Sequence, residues 1–92
     1  SGGESMQRCL VTFVSQTAAF RFKRLAEDNG LFVKIIQTPK ELSRGGCSYA
    51  AKCTRNDALK LTSLCRRNGV GYSRIFAEFT DTGGRRSYEE VR

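Results

Sequence analysis

The chain contains no histidine and only one proline among its 92 residues. Without histidine, the Ser-His and Cys-His nucleophile arrangements, histidine metal sites and histidine proton shuttles are excluded. The longest apolar runs are far too short to cross a bilayer, so we expect a soluble protein that makes no membrane contact. No charged and apolar leader opens the chain, and residues 1–5 before Met6 resemble an expression remnant, which makes the cytoplasm the expected compartment.

Charge and cysteine content narrow the function classes further. Sixteen basic and nine acidic residues give a net charge of +7, which attracts phosphates and acidic surfaces through salt-sensitive steering. The four cysteines, at positions 9, 47, 53 and 65, match neither paired metal knuckles nor a dense secreted disulfide framework. We therefore expect free thiols, and we expect neither a metal nor another cofactor.

Hydrophobic patterning predicts four strands and two helices. Short β-branched and aromatic runs are typical of strands, whereas apolar residues at helical spacing between a Ser or Thr cap and an Asn-Gly pair are typical of helices. The predicted strands are 9–14, 31–37, 48–53 and 72–79, and the predicted helices follow a cap at Ser15 or Thr17 and a cap within residues 54–57. We expect residues 80–92 to be a flexible tail unless Tyr88 or Val91 docks on the core.

An internal repeat indicates how these elements are arranged. A shift of 39 positions, from 19 to 58, places Ala19-Phe20-Arg21-Phe22 on Ala58-Leu59-Lys60-Leu61 and Asn29-Gly30 on Asn68-Gly69. Two copies of β-α-β are the split arrangement of a ferredoxin-like sandwich. We therefore predict an α+β, two-layer β-α-β-β-α-β fold as a single domain in residues 6–79, with an antiparallel sheet that carries both helices on one face.

The segment between the two copies holds the candidate site. It combines the chain's single proline, two adjacent glycines and a cysteine, and nearby basic residues would favour a thiolate. Ser43 has two interpretations, because its hydroxyl can hydrogen-bond the sulfur or cap its own backbone. Cys65 shares the apolar stripe of the second helix, and we expect it to be an inert core thiol. The candidate residues are Cys47 as the reactive thiol, with Pro39, Lys40, Ser43, Arg44, Gly45 and Gly46 in support.

Several residues of the first half are similar to those of a known family. They are Val11-Thr12-Phe13, Ala19, Leu25, Ile35-Ile36, Pro39, Leu42-Ser43 and Cys47. Over about residues 9–79 the chain resembles the small bacterial domains of unknown function described as selenium/sulfur carrier-like proteins. The resemblance implies that Cys47 is the carrier residue of a proline-serine-cysteine loop. It also implies partner proteins that donate and accept the sulfur or selenium.

Three functions remain open at this point. The first is a carrier, in which Cys47 accepts sulfur or selenium as a persulfide or selenosulfide and passes it on. Because this exchange needs no acid-base pair, a non-catalytic carrier or accessory domain is favoured over an enzyme. The second is a basic module that binds nucleic acid or a protein, since ferredoxin-like sheets can stack bases on exposed aromatics. The third is a small regulatory domain in which Cys47 is incidental.

Overall fold

Two helices pack on one face of a five-stranded antiparallel sheet in the computed structural model, which describes residues 7–46 and 48–91. The sheet order is β2-β3-β1-β4-β5, which is a ferredoxin-like sandwich with one strand added beyond β4. The predicted fold class is therefore confirmed. In chain order the elements are β1 Arg8–Phe13, α1 Gln16–Asp28, β2 Lys34–Gln37, a 3-10 helix Lys40–Gly45, β3 Tyr49–Thr54, α2 Arg55–Asn68, β4 Ile75–Thr80 and β5 Arg86–Glu90.

Both helices begin and end with the same local chemistry. The side-chain oxygens of Ser15 and Thr54 each accept a hydrogen bond, at 3.2 Å, from the backbone N–H three residues later. Each cap thereby satisfies one of the N–H groups that the first helical turn leaves unpaired. At the other end, the side chains of Asn29 and Asn68 each donate, at 2.8 Å, to the carbonyl four residues earlier. The repeat seen in the sequence is thus also a repeat of hydrogen bonds.

Alternation along the strands decides which side chains meet the helices. In β1, Val11 and Phe13 point to the helices, whereas Leu10 points to the opposite face. The rings of Phe13 and Phe22 of α1 pack in a tilted arrangement, with their centroids 5.1 Å apart. The buried cluster between sheet and helices consists of Cys9, Val11, Phe13, Ala19, Phe22, Ala26, Val33, Ala51, Cys53, Ala58, Leu61, Cys65 and Ala77.

The face of the sheet that the helices do not cover, here called the open face, carries polar side chains around a buried central part. Glu78 forms an ion pair with Lys52 at 3.9 Å and accepts a hydrogen bond from the Tyr88 hydroxyl at 3.4 Å. Burial and the Glu78 carboxylate raise the pKa of Tyr88, and Glu41 of the 3-10 helix adds to this effect.

β5 corrects the expectation of a flexible tail in residues 80–92. It pairs with β4 from Phe76↔Glu90 to Thr80↔Arg86. Val91 then packs against the buried cluster, and its N–H donates to the Ile75 carbonyl at 2.8 Å. This docking supplies the order that the tail's own sequence does not predict, because apart from Tyr88 and Val91 its side chains are polar or charged and show no hydrophobic alternation.

Two strands begin three residues later than predicted. The strand predicted from residue 31 begins at Lys34, and the one predicted from residue 72 begins at Ile75. The expression remnant predicted at residues 1–5 lies outside the described residues. In the part of the chain that the structure describes, neither helix combines the length and apolar character needed to cross a membrane.

Candidate functional site

A backbone hydrogen bond joins the two ends of the loop between β2 and β3. The Thr38 N–H donates to the Ser48 carbonyl at 3.1 Å, one position beyond the last strand pair, Gln37↔Tyr49. Pro39 follows at once and has no N–H to donate, so the ladder cannot continue. The chain after Thr38 therefore leaves the sheet as a loop, and the bond between Thr38 and Ser48 holds the two ends of that loop together.

The 3-10 helix fixes the conformation of most of this loop. The Leu42 N–H donates to the Pro39 carbonyl at 2.9 Å, and the Gly46 N–H donates to the Ser43 carbonyl at 3.1 Å. Gly46 has φ of 82°, a left-handed conformation that residues with a β-carbon rarely adopt. The glycine therefore ends the 3-10 helix one residue before Cys47 in the sequence.

Ser43 caps the backbone of its own loop. Its hydroxyl donates to the Lys40 carbonyl at 3.1 Å, and Lys40 itself is exposed in the first turn of the 3-10 helix. Because a hydroxyl has a single proton, Ser43 in this conformation has none to give to a sulfur atom. The structure therefore shows Ser43 as a cap of its own backbone, which is the second of its two interpretations.

A concavity of about 340 Å³, the loop pocket, lies beside this loop. Two of the residues that line it, Gly46 and Ser48, are the sequence neighbours of Cys47. Among the residues that the structure describes, the buried hydroxyl oxygen of Thr38 has no hydrogen-bond partner. The predicted site residue Cys47 and the side chain of Arg44 lie outside the described part. The loop pocket is lined by Gln37, Thr38, Ser43, Gly46, Ser48 and Tyr49.

The three cysteines that the structure describes belong to the core. Cys9, Cys53 and Cys65 are 1%, 7% and 0% exposed, and none is part of a disulfide. Cys9 and Cys53 are direct cross-strand neighbours on β1 and β3. Cys65 lies on the inner side of α2, so its predicted place in the core is confirmed.

Burial also removes the reactive form of these thiols. Burial raises the pKa of Cys65 to about 11. Burial, the neighbouring Cys9 thiol and the Asp57 carboxylate together raise the pKa of Cys53 to about 12. Burial likewise raises the pKa of Cys9, although the positive charge of Arg55 opposes the effect. Because the thiolate is the nucleophile, all three thiols are poorly suited to sulfur exchange at neutral pH.

Sequence reasoning missed several residues of the loop pocket. Gln37, Thr38 and Ser48 were not among the candidates, although they immediately flank the loop. Their position at the ends of the predicted second and third strands, 31–37 and 48–53, was the signal that could have found them. Within residues 7–46 and 48–91, no group of three or more His, Cys, Asp or Glu side chains could hold a metal ion.

Comparison with known proteins gives one match. The family described as Putative Se/S carrier protein-like matches residues 8–77, a span that includes both β-α-β units up to β4 and the loop between them. Comparisons with curated proteins and with solved structures gave no match. The family match covers well over half of the 92 residues and confirms the resemblance expected from the sequence. The chain belongs to this family of Se/S carrier-like proteins.

Proposed function

We propose that this chain carries sulfur or selenium on Cys47. The observation that carries the proposal is the state of the other thiols, because Cys9, Cys53 and Cys65 are buried and resist ionisation. Cys47 is the remaining cysteine of the chain. The family match supports the cargo, since its description names selenium and sulfur.

In the proposed loading step, the Cys47 thiolate attacks the terminal sulfur of a donor protein's persulfide. A sulfur–sulfur bond forms to Cys47, while the donor's own sulfur–sulfur bond breaks and its sulfur leaves as a thiolate with the electron pair. The transferred sulfur keeps its proton, so the exchange consumes no oxidant or reductant. An acceptor thiolate unloads the carrier by the same displacement, and a selenium donor gives a selenosulfide.

The loop contributes position and electrostatics to this step. We assign Lys40 and Arg44 the role of favouring the Cys47 thiolate, because a nearby positive charge lowers the pKa of a thiol. Pro39, Gly45 and Gly46 shape the loop, and Thr38, whose hydroxyl has no hydrogen-bond partner among the described residues, lines the loop pocket beside it. A cytoplasmic location fits the unpaired state of the described cysteines, since reducing compartments keep thiols free.

Transfer of sulfur from a small-molecule persulfide to the purified protein tests the proposal. We expect intact mass spectrometry to detect one added sulfur atom, which a reducing agent removes. Cys47→Ser should take up no sulfur, whereas Cys65→Ala should take it up as the wild type does. Equal uptake by Cys47→Ser and the wild type would contradict the assignment.

The open face supports a second candidate, a platform for single-stranded nucleic acid. Phe76 and Tyr88 lie on this face in the same sheet as the cations Arg8 and Arg86, as base stacking beside phosphate contacts requires. Glu78 lies among them with its carboxylate and would repel phosphates, which ranks this function second. RNA affinity that falls steeply with salt and is lost in Tyr88→Ala would favour the platform over the carrier.

A further inference from the structure

One edge of the sheet has unpaired hydrogen-bonding groups. Within residues 7–46 and 48–91, β2 is the outermost strand on its side and pairs with β3 alone. The bond from the Thr38 N–H to the Ser48 carbonyl identifies Thr38 and Ser48 as a hydrogen-bonded pair. Since such pairs alternate along an antiparallel ladder, Ile35 and Gln37 direct their N–H and C=O groups away from β3. The outer edge of β2 thus offers donors and acceptors to a further strand.

A groove of about 390 Å³, the edge groove, runs along this strand and is lined by aromatic and basic side chains. Phe20 of α1 lines it and is 47% exposed, and Phe32, just before β2, lines it and is 80% exposed. Lys23 and Lys34 line the same groove. Apolar surface and positive charge therefore lie side by side along an unpaired edge.

The opposite edge of the sheet shows what a protected edge looks like in this protein. β5 carries Arg86, Glu89 and Glu90, all exposed, and strands with such charges resist pairing with another chain. β2 instead has Ile35 and Ile36 at its centre. Lys34 discourages pairing with a neutral or basic strand, but it attracts an acidic one.

We propose that the outer edge of β2 is a docking site for an extended, acidic segment of a partner protein, which adds to the sheet as a sixth strand. Main-chain hydrogen bonds to Ile35 and Gln37 would hold the segment, as in other cases of strand addition. Its carboxylates match Lys23 and Lys34, and its apolar side chains match Phe20 and Phe32. The protein's net charge of +7 favours an acidic partner over a second copy of the same chain.

The docking site adjoins the loop pocket. Gln37 and Tyr49 line both concavities, so a segment bound along β2 ends beside the loop that contains Cys47. A donor or acceptor protein could use this edge to present its own sulfur. Docking on β2 nevertheless goes beyond the carrier function and does not depend on it, because the edge and its groove bind without any thiol.

A labelled peptide of alternating glutamate and valine is the probe for this site, with fluorescence anisotropy as the measure of binding. We expect binding that weakens with added salt, and we expect a peptide with lysine in place of glutamate to bind at least about tenfold more weakly. Amide hydrogen exchange at Ile35 and Gln37 should slow when the peptide binds. Exchange at Ile36, whose N–H already faces β3, should change little.

Matched pairs of variants distinguish an effect of the β2 edge on peptide binding from the general effects of a mutation. Gln37→Pro removes an outward N–H, whereas Gln37→Ala keeps it, so only the proline should weaken binding, by at least about fivefold. Phe20→Ser should weaken binding, whereas Leu59→Ser, at the equivalent position of the repeat and also 47% exposed, should not. Lys34→Gln should weaken it more than Lys60→Gln on α2.

Three results would overturn the proposal. The first is equal peptide binding by the two Gln37 variants, and the second is unchanged hydrogen exchange at Ile35 and Gln37 in the wild type, a measurement that needs no variant to fold. The third is a dimer of the wild-type protein, in analytical ultracentrifugation, that Gln37→Pro dissociates. This last result would assign the edge to a second copy of the chain. The Cys47→Ser protein should still bind the peptide, so the outcome is separate from that of sulfur loading.

Discussion

Alkylation of the native protein at neutral pH should modify one cysteine and spare three. The thiolate is the reacting form, and its population at neutral pH falls about tenfold for each unit by which a pKa rises. The pKa of Cys65 is about 11 instead of the ordinary 9.0, so its thiolate is about one hundred times rarer than that of an unperturbed thiol. For Cys53, with a pKa of about 12, the factor is about one thousand. Burial of all three core thiols slows them further, because the reagent must wait for a local opening.

The assay is a time course with iodoacetamide, in which peptide mass spectrometry measures the label on each cysteine. Native protein should acquire one label, on Cys47, with Cys53 and Cys65 at least about one hundred times slower and Cys9 also slowed. In denaturant all four should react at similar rates, which controls for differences in peptide recovery. Raising the pH should accelerate the core thiols most, since their thiolate populations have the furthest to rise.

Rapid labelling of Cys9 or Cys65 in the native protein would refute this reasoning. It would show that the core opens easily or that burial does not suppress the thiolate, and the basis for choosing Cys47 would then be lost. Slow labelling of all four would equally count against a reactive loop thiol.

Four further outcomes follow from the same structure. Leu61→Ala, at a fully buried position, should lower the free energy of unfolding by about 2–5 kcal/mol in urea titrations. Gly46→Ala should cost about 1 kcal/mol in the same assay, because φ of 82° strains a residue with a β-carbon although no atom lies within 4 Å of the added carbon. The contribution of the neutral Cys65 thiol to the free energy of unfolding should be fully present below the unfolded thiol pKa near 9.0 and should be lost as the pH rises towards about 11. Urea midpoints measured at several pH values should therefore fall over this range, and they should fall less steeply in Cys65→Ala. Lys40→Gln with Arg44→Gln should raise the pKa of the Cys47 thiol and slow its alkylation at neutral pH, and an unchanged rate would remove these charges from the proposed mechanism.

The fold was largely predictable because the sequence contains two copies of the same β-α-β pattern. The sequence predicted caps at Ser15 or Thr17 and within residues 54–57, and the structure has them at Ser15 and Thr54. The predicted helix ends at Asn29-Gly30 and Asn68-Gly69 are confirmed. In β4, Ala77 packs against the helices while Phe76 and Glu78 lie on the open face, as alternation along a strand requires. Local signals that agree with each other in both copies left few alternative arrangements.

The features that escaped prediction depend on contacts between distant parts of the chain. β5 is ordered through pairing with β4, which its own composition does not indicate, and through the docking of Val91, which the sequence left open. The edge groove combines a residue of α1 with residues around β2, and it exists only once the helix lies beside the strand. The role of Cys47 at the candidate site was predicted from the sequence. This role remains a prediction, because Cys47 lies outside the described residues.

The repeated units also explain why the candidate site can evolve independently of the fold. The two strands of one β-α-β unit are parallel and leave a gap between them, and each unit fills the gap of the other: β3 lies between β1 and β2, and β1 lies between β3 and β4. Such interlocking is what duplication and fusion of an ancestral unit that paired with itself would produce. The β2–β3 loop is then the segment at which the two units were fused. It is present once, whereas β1, α1 and β2 have counterparts in β3, α2 and β4. Folding requires of it little more than bringing Thr38 to Ser48, so natural selection could rebuild its chemistry without a compensating change in either unit.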